Sequence, residues 1–416
     1  MEKKVSVREY LRAIGPAIVI AAVVVGPGTV TTASTMGANY GYSLLWVIVF
    51  SALAAFFYQL PAINLTLNRG VTILEAIRIR FGKKLAVIMF VAMYFCACIS
   101  QAANFVGAAM ALNYFVPAIS LTAWCVITVV AALIMVLCTN YGWLENFTKL
   151  LIILMVSAFV FTMIGSRPSV SEIASQGFSF QVPEANFYLV LAMLSTTMVY
   201  DIPITLSALH KEKYLNSNSP ESKLSPVQKK MFAKTDLVVG TIVTAILTST
   251  ILICSACNLH PLGIKVTSAA DMAAQLTPIL GKYAGILFSL GLWGAAFSSG
   301  MFRMELTPML LNQATDQPMD KKALRSRICI LGAGIVPIIF ILAFGAAPAK
   351  LIIAVQAITG LLLPFICGIV WRISSDKKFM GEYANKTWFN VIMGFIFVVT
   401  ILLAVRVFLS LSLIHI

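Results

Sequence analysis

Apolar segments long enough to cross a bilayer recur eleven times along this chain, at about 12–39, 44–64, 83–113, 117–138, 144–166, 186–210, 233–258, 281–304, 325–346, 349–372 and 386–408. A helix needs about 20 apolar residues to span the hydrocarbon core. In lipid, a segment of that length must satisfy its own backbone hydrogen bonds, which a helix does and an isolated strand does not. The expected fold class is therefore an all-α integral membrane protein. Composition agrees: 60% of the 416 residues are hydrophobic and 11% charged, and mean hydropathy is +0.92. A soluble domain so composed would lack the polar surface to cover itself.

The net charge of +14 does not point to nucleic acid, because the basic residues sit in short loops on alternate sides of the spans. Lys3, Lys4, Arg8 and Arg12 precede the first span. Arg69, Arg78, Arg80, Lys83 and Lys84 follow the second, and KEKYLNSNSPESKLSPVQKKMFAK, DQPMDKKALRSR and RISSDKKFMGEYANK follow the sixth, eighth and tenth. The loops between hold only Arg167, Lys265, Lys282 and Lys350. The alternation puts the N-terminus in the cytoplasm of a cell whose expected membrane is the bacterial cytoplasmic one. MEKKVSVREYLR is charged and runs directly into the first span, unlike a cleaved signal. The eight cysteines fall mostly within spans and read as small packing residues, with no zinc or disulfide spacing. No cofactor and no enzymatic constellation is expected.

Two spans are interrupted. VVVGPGTVTTAS (Val23 to Ser34) places Gly-Pro-Gly inside the first, and MVYDIPITLSALHK (Met198 to Lys211) places Pro203 inside the sixth. Proline lacks an N–H and glycine is a poor helix former, so each helix should open and free backbone groups. Such groups are tolerated in a bilayer only where protein or a cavity satisfies them. The breaks lie five spans apart, and an odd offset reverses the second helix. Two five-helix repeats of inverted topology, with their unwound helices meeting at midplane around a cargo, have this layout. The rival reading is a pair of proline kinks capped by threonines.

LRAIGPAIVIAAVVVGPGTVTTASTMGANYGYSLLW, FVGAAMALN, GMFRMELTPML and VQAITGLLLPF resemble corresponding stretches of the NRAMP divalent-metal transporters. The resemblance runs from about Leu11 through span ten. It implies a LeuT-type fold of about eleven transmembrane helices, alternating access, and usually proton-coupled uptake of manganese or iron. One transporter domain would cover 1–410, with repeat one at about 11–166, repeat two at about 186–372 and an extra helix at about 386–408. The last six residues, LSLIHI, match one frame of a common sequencing-adapter sequence and read as a non-native tail over 411–416.

The family's metal ligands are replaced. Its first break reads Asp-Pro-Gly-Asn, where this chain has Gly26-Pro27-Gly28-Thr29. Its second reads Met-Pro-His, where this chain has Ile202-Pro203-Ile204. Gln101 and Asn104 stand where the family has acidic residues on a proton route. Gln356 matches a site-facing glutamine, and Glu305 a glutamate of structural role. Loss of the thioether removes the main cause of preference for soft metals.

Asp201 is the acidic residue left in mid-span, a functional candidate by cost alone; its alternative role is to cap the half-helix that follows. The expected binding set is Gly26, Thr29, Val199, Asp201, Ile202 and Gln356, with Asp201, Thr29 and Gln356 as metal ligands. An all-oxygen set suits a hard dication such as magnesium. The expected partners are that ion (magnesium, or manganese or iron) and the lipid bilayer. A small neutral or zwitterionic solute on the same fold, or a membrane sensor that transports nothing, are the alternatives. His210 and Asp236 read as interfacial.

Overall fold

The structure, a computed structural model, describes residues 26–138, 142–183, 186–318, 320, 322–344 and 348–413. The N-terminal part of the first expected span and the last three residues, with His415, lie outside them. Among the described residues all regular structure is helical. The helices are α1 (Pro27–Tyr40), α2 (Leu45–Arg69), α3 (Ile73–Phe81), α4 (Lys83–Phe115), α5 (Leu121–Cys138), α6 (Gly142–Gly165) and α7 (Val170–Gly177). After them come α8 (Phe187–Met198), α9 (Ile202–Leu215), α10 (Pro226–Asn258), α11 (Ala284–Thr315), α12 (Leu324–Phe344), α13 (Pro348–Gly360), α14 (Leu363–Ser374) and α15 (Thr387–Leu413).

These helices fall on the eleven expected spans. Eight are long and apolar enough to cross a membrane, counting α8–α9 and α13–α14 each as one span. α5 is a shorter apolar helix, α6 ends in a 107° bend into α7, and α1 is the described part of the first span. Span three, α4, has 33 residues. At 1.5 Å per residue that is about 50 Å, so it protrudes beyond the hydrocarbon.

Packing follows the repeat. α4 packs on α11, α2 on α10, α1 on α8 and α5 on α12. Each is span n against span n + 5, as expected when two five-helix units of opposite direction interlock. Small residues set the closest approaches. A side chain at Gly37 of α1 would meet the Leu252 carbonyl oxygen of α10 at 2.4 Å, so only a bare Cα lets these two helices come so near.

The broken sixth span is the most enclosed, with 94% of its most apolar window buried, against 28% for α15. The outer helices turn large apolar side chains such as Ile88, Ile153, Ile246, Ile339 and Phe395 outward, which suits contact with lipid tails. Span six is thus enclosed by the other helices, while α15 lies at the periphery.

The basic end is tied by polar contacts. Thr72 and Glu75 form a reciprocal capping box at the start of α3, a device of about 1 kcal/mol. Glu75 also takes Lys211 of α9 at 2.7 and 2.8 Å. The Ile73 N–H, one of the orphan donors of that helix start, donates to Ser207 Oγ of α9 at 3.1 Å. Arg78 pairs with Asp316. Arg80 donates to Asp376 at 2.7 Å and holds that carboxyl below its usual range.

Two expectations change. His210 and Asp236 are fully buried rather than interfacial, because α9, α2 and the start of α10 close on one another in a cluster that includes Ile63, Leu206, Tyr214 and Phe232. A third span is also interrupted: span ten stops as a helix at Gly360 and restarts at Leu363, with Pro364 in its first turn. The described cysteines are free and mostly buried, as packing residues are.

Candidate transport site

The first break leaves Gly26 extended ahead of α1, with Pro27 in the first helical turn. A missing N–H costs nothing there, since the first turn has no intrahelical acceptor for it. The second break ends α8 at Met198 and restarts α9 at Ile202. Its carbonyls are largely accounted for. Tyr58 of α2 donates its hydroxyl to the Tyr200 oxygen at 2.7 Å, Ile202 N–H reaches the Val199 oxygen at 3.1 Å, and Val30 N–H reaches the Gly26 oxygen at 3.1 Å. The Val199 and Gly26 oxygens each keep a second lone pair.

Between the breaks lies a cavity of about 60 Å³. A water molecule needs about 10–15 Å³ of such space, so a few fit. All six residues expected at the site line it: Gly26, Thr29, Val199, Asp201, Ile202 and Gln356. Gln356 arrives from α13, four residues before the third break, and its amide rests against Gly28. A Cβ at Gly28 would lie 2.2 Å from Gln356 Nε2, so the glycine makes room for the amide.

Gln101 and Asn104 form a buried amide chain. Gln101 Nε2 donates to the Gly300 oxygen at 2.8 Å, and Asn104 Nδ2 donates to Gln101 Oε1 at 2.9 Å. Both are buried, and Asn104 borders the cavity. Glu305 is not among the lining residues.

Asp201 occupies the N-cap position of α9 yet makes no side-chain cap bond. Its carboxylate instead accepts from Arg303 Nη1 of α11 at 2.9 Å. The two side chains are 8% and 12% exposed, so the ion pair is largely shielded from bulk solvent while it borders the cavity. The guanidinium also lies 6.0 Å from the Tyr200 ring centroid, within cation–π range. Arg303 is the residue that reading the sequence missed. It stands inside GMFRMELTPML, near the end of an apolar segment, and an ionisable residue there is a signal in itself.

Two further lining hydroxyls, Thr205 Oγ1 and Ser299 Oγ, are buried without a hydrogen-bond partner. Chemically the cavity offers hydroxyls, amides and one carboxylate whose charge is already compensated. Among the described residues no three His, Cys, Asp or Glu side chains converge as a metal cluster.

The chain is similar along nearly its whole length to known proteins. It is 25% identical over 395 residues to the divalent metal cation transporter MntH of Caldanaerobacter subterraneus subsp. tengcongensis, covering 94% of this chain and 90% of that protein. It is 24% identical over 411 residues to the protein of the same name from Staphylococcus aureus, covering 92% and 88%. In structure it resembles the Eremococcus coleocola manganese transporter solved with an aromatic bis-isothiourea compound (TM-score 0.79, 19% identity, 97% and 87% covered). A more distant likeness is to Mhp1, a nucleobase-cation-symport-1 family transporter (TM-score 0.59, 14% identity, 94% and 91% covered). These likenesses show the shared LeuT-type fold. The family model for natural resistance-associated macrophage protein-like (Nramp) proteins matches residues 17–410, and the chain belongs to that membrane transporter family.

Proposed function

We propose that this protein is a secondary transporter that moves a divalent cation by alternating access, taking it as a hard, partly hydrated ion on oxygen ligands. One observation carries the reading. Two broken spans and the interrupted tenth converge on a cavity of about 60 Å³ that holds a carboxylate, an amide and several hydroxyls. That is room for a small ion with part of its water shell. The relatives' names, divalent metal cation transporter and manganese transporter, support a dication as cargo.

Asp201, Thr29 and Gln356 are the side-chain ligands of this reading, with the Val199 and Gly26 carbonyls beside them. Ile202, where a thioether would favour soft metals, offers none, so the site should accept magnesium as readily as manganese or iron. The basic loops favour a cytoplasmic N-terminus. One domain holds both repeats and the extra last helix.

A second reading rests on Arg303. A zwitterionic solute could set its carboxylate on the guanidinium and its ammonium group on Asp201, exchanging one buried ion pair for two. Uptake into proteoliposomes decides, using magnesium, manganese and calcium in one series and small amino acids in another, each with and without a pH gradient. Accumulation of dications supports the first reading. Uptake confined to amino acids replaces it with the second.

A further inference from the structure

We propose that the Arg303 guanidinium is a tethered occupant of the cation site, which holds Asp201 until a dication displaces it and thereby shuts out monovalent ions. The proposal rests on the divalent-cation reading above and names the residue that sets its charge selectivity.

The pair is built into the cavity rather than beside it. Asp201 and Arg303 both line the same space as Thr29 and Gln356, and the contact is 2.9 Å between two side chains largely shielded from bulk solvent. Asp201 does not cap α9, so its carboxylate is committed to the guanidinium. The unpartnered hydroxyls flank the pair one helical turn away on each side. Thr205 follows Asp201 on α9, and Ser299 precedes Arg303 on α11. Oxygen ligands are thus in place around the carboxylate while the position nearest it is taken by a cation of the protein's own.

Arginine stays protonated at any physiological pH, so the empty site carries no net charge. An incoming cation must replace the guanidinium on Asp201. A monovalent ion brings the same charge and competes against a group already attached, whose effective concentration is high. A dication brings twice the charge on a smaller radius and gathers Thr29, Gln356 and the two free hydroxyls as well. Selection by valence follows without any ligand that reads the metal's identity.

The test uses the full chain in lipid nanodiscs, with magnesium binding followed by calorimetry. In Arg303→Gln, magnesium should bind about tenfold tighter or better, and potassium in excess should now compete where it does not in the wild type. In Arg303→Ala, millimolar guanidinium chloride should weaken magnesium binding by filling the vacated place. An Arg303 that only braces the fold would give neither result. A neutral pair, Asp201→Asn with Arg303→Gln, removes the lone charge that could unfold the single variant, and it should bind magnesium no better than wild type. If the wild type transports dications, and a folded Arg303→Gln binds magnesium no tighter while guanidinium has no effect on Arg303→Ala, the proposal is overturned and the divalent reading stands. If wild type and Arg303→Gln both bind no dication and wild type takes up amino acids, both fall.

Discussion

At Asp201 an isolated carboxylate in mid-membrane would be a cost, and removing its charge would be expected to stabilise the protein. The Arg303 contact reverses that sign. Asp201→Asn leaves a guanidinium buried without a counter-charge, and breaking such a pair costs about 3–5 kcal/mol. A lowered thermal midpoint, together with weakened magnesium binding, is the expected result; an unchanged midpoint would mean the pair does not hold in the bilayer. Gly28→Ala should behave differently. The three atoms nearest its new Cβ all belong to the flexible Gln356 side chain, so the amide swings away, dication binding weakens, and the thermal midpoint stays near that of wild type. Calorimetry and a melting curve on one sample separate the two effects.

At the scale of the helices, the break in span six is held open from outside by Tyr58. Tyr58→Phe deletes the hydroxyl and leaves the buried Tyr200 carbonyl without that bond, at a cost of about 1–3 kcal/mol. Hydrogen exchange should show faster opening at the start of α9 in this variant, while α4 and α11 keep their protection; equal protection throughout would show that another donor takes over. The first two breaks were legible in the sequence because Gly26, Pro27, Gly28 and Pro203 interrupt otherwise smooth apolar runs. The third was not. Gly360 and Pro364 are separated by Leu361, Leu362 and Leu363, and three leucines read as helix unless the packing around them is known. His210 misled for a related reason: its neighbour Lys211 suggests an interface, whereas α9 packs with parts of α2 and α10 that are distant in sequence, and His210 is buried. The six site residues could be named from the breaks and the family resemblance. Arg303 was passed over because basic residues elsewhere in this chain mark loops, and its partner lies 102 residues away on another helix.

For the molecule as a whole, loss of the thioether and of the titrating groups sets the transport phenotype. Competitive uptake should show manganese favoured over magnesium by well under about a hundredfold; a larger ratio would place a soft ligand in the site. Gln101 and Asn104 form a closed amide chain that cannot take up or release protons near neutral pH. An acid-outside gradient should therefore leave dication accumulation nearly unchanged, and dication uptake should not acidify the vesicle interior, as read by a metal-sensitive dye and a pH dye inside the vesicles. The ion pairs of the basic end have a consequence of another kind. Lys211–Glu75 joins α9 to α3, and Arg78–Asp316 joins α3 to the loop after α11, through partly solvated charges, whereas Arg303–Asp201 is largely shielded from bulk solvent. Added electrolyte weakens solvated pairs and barely touches buried ones, since the Debye length falls to about 3 Å at 1 M. The basic end and the central cavity should then answer differently to ionic strength. Concentrated potassium chloride on the basic side should loosen that end and raise the labelling of a cysteine placed at Thr205 in a cysteine-free background, and neutralising the link with Glu75→Gln and Lys211→Gln should raise the baseline and flatten the response.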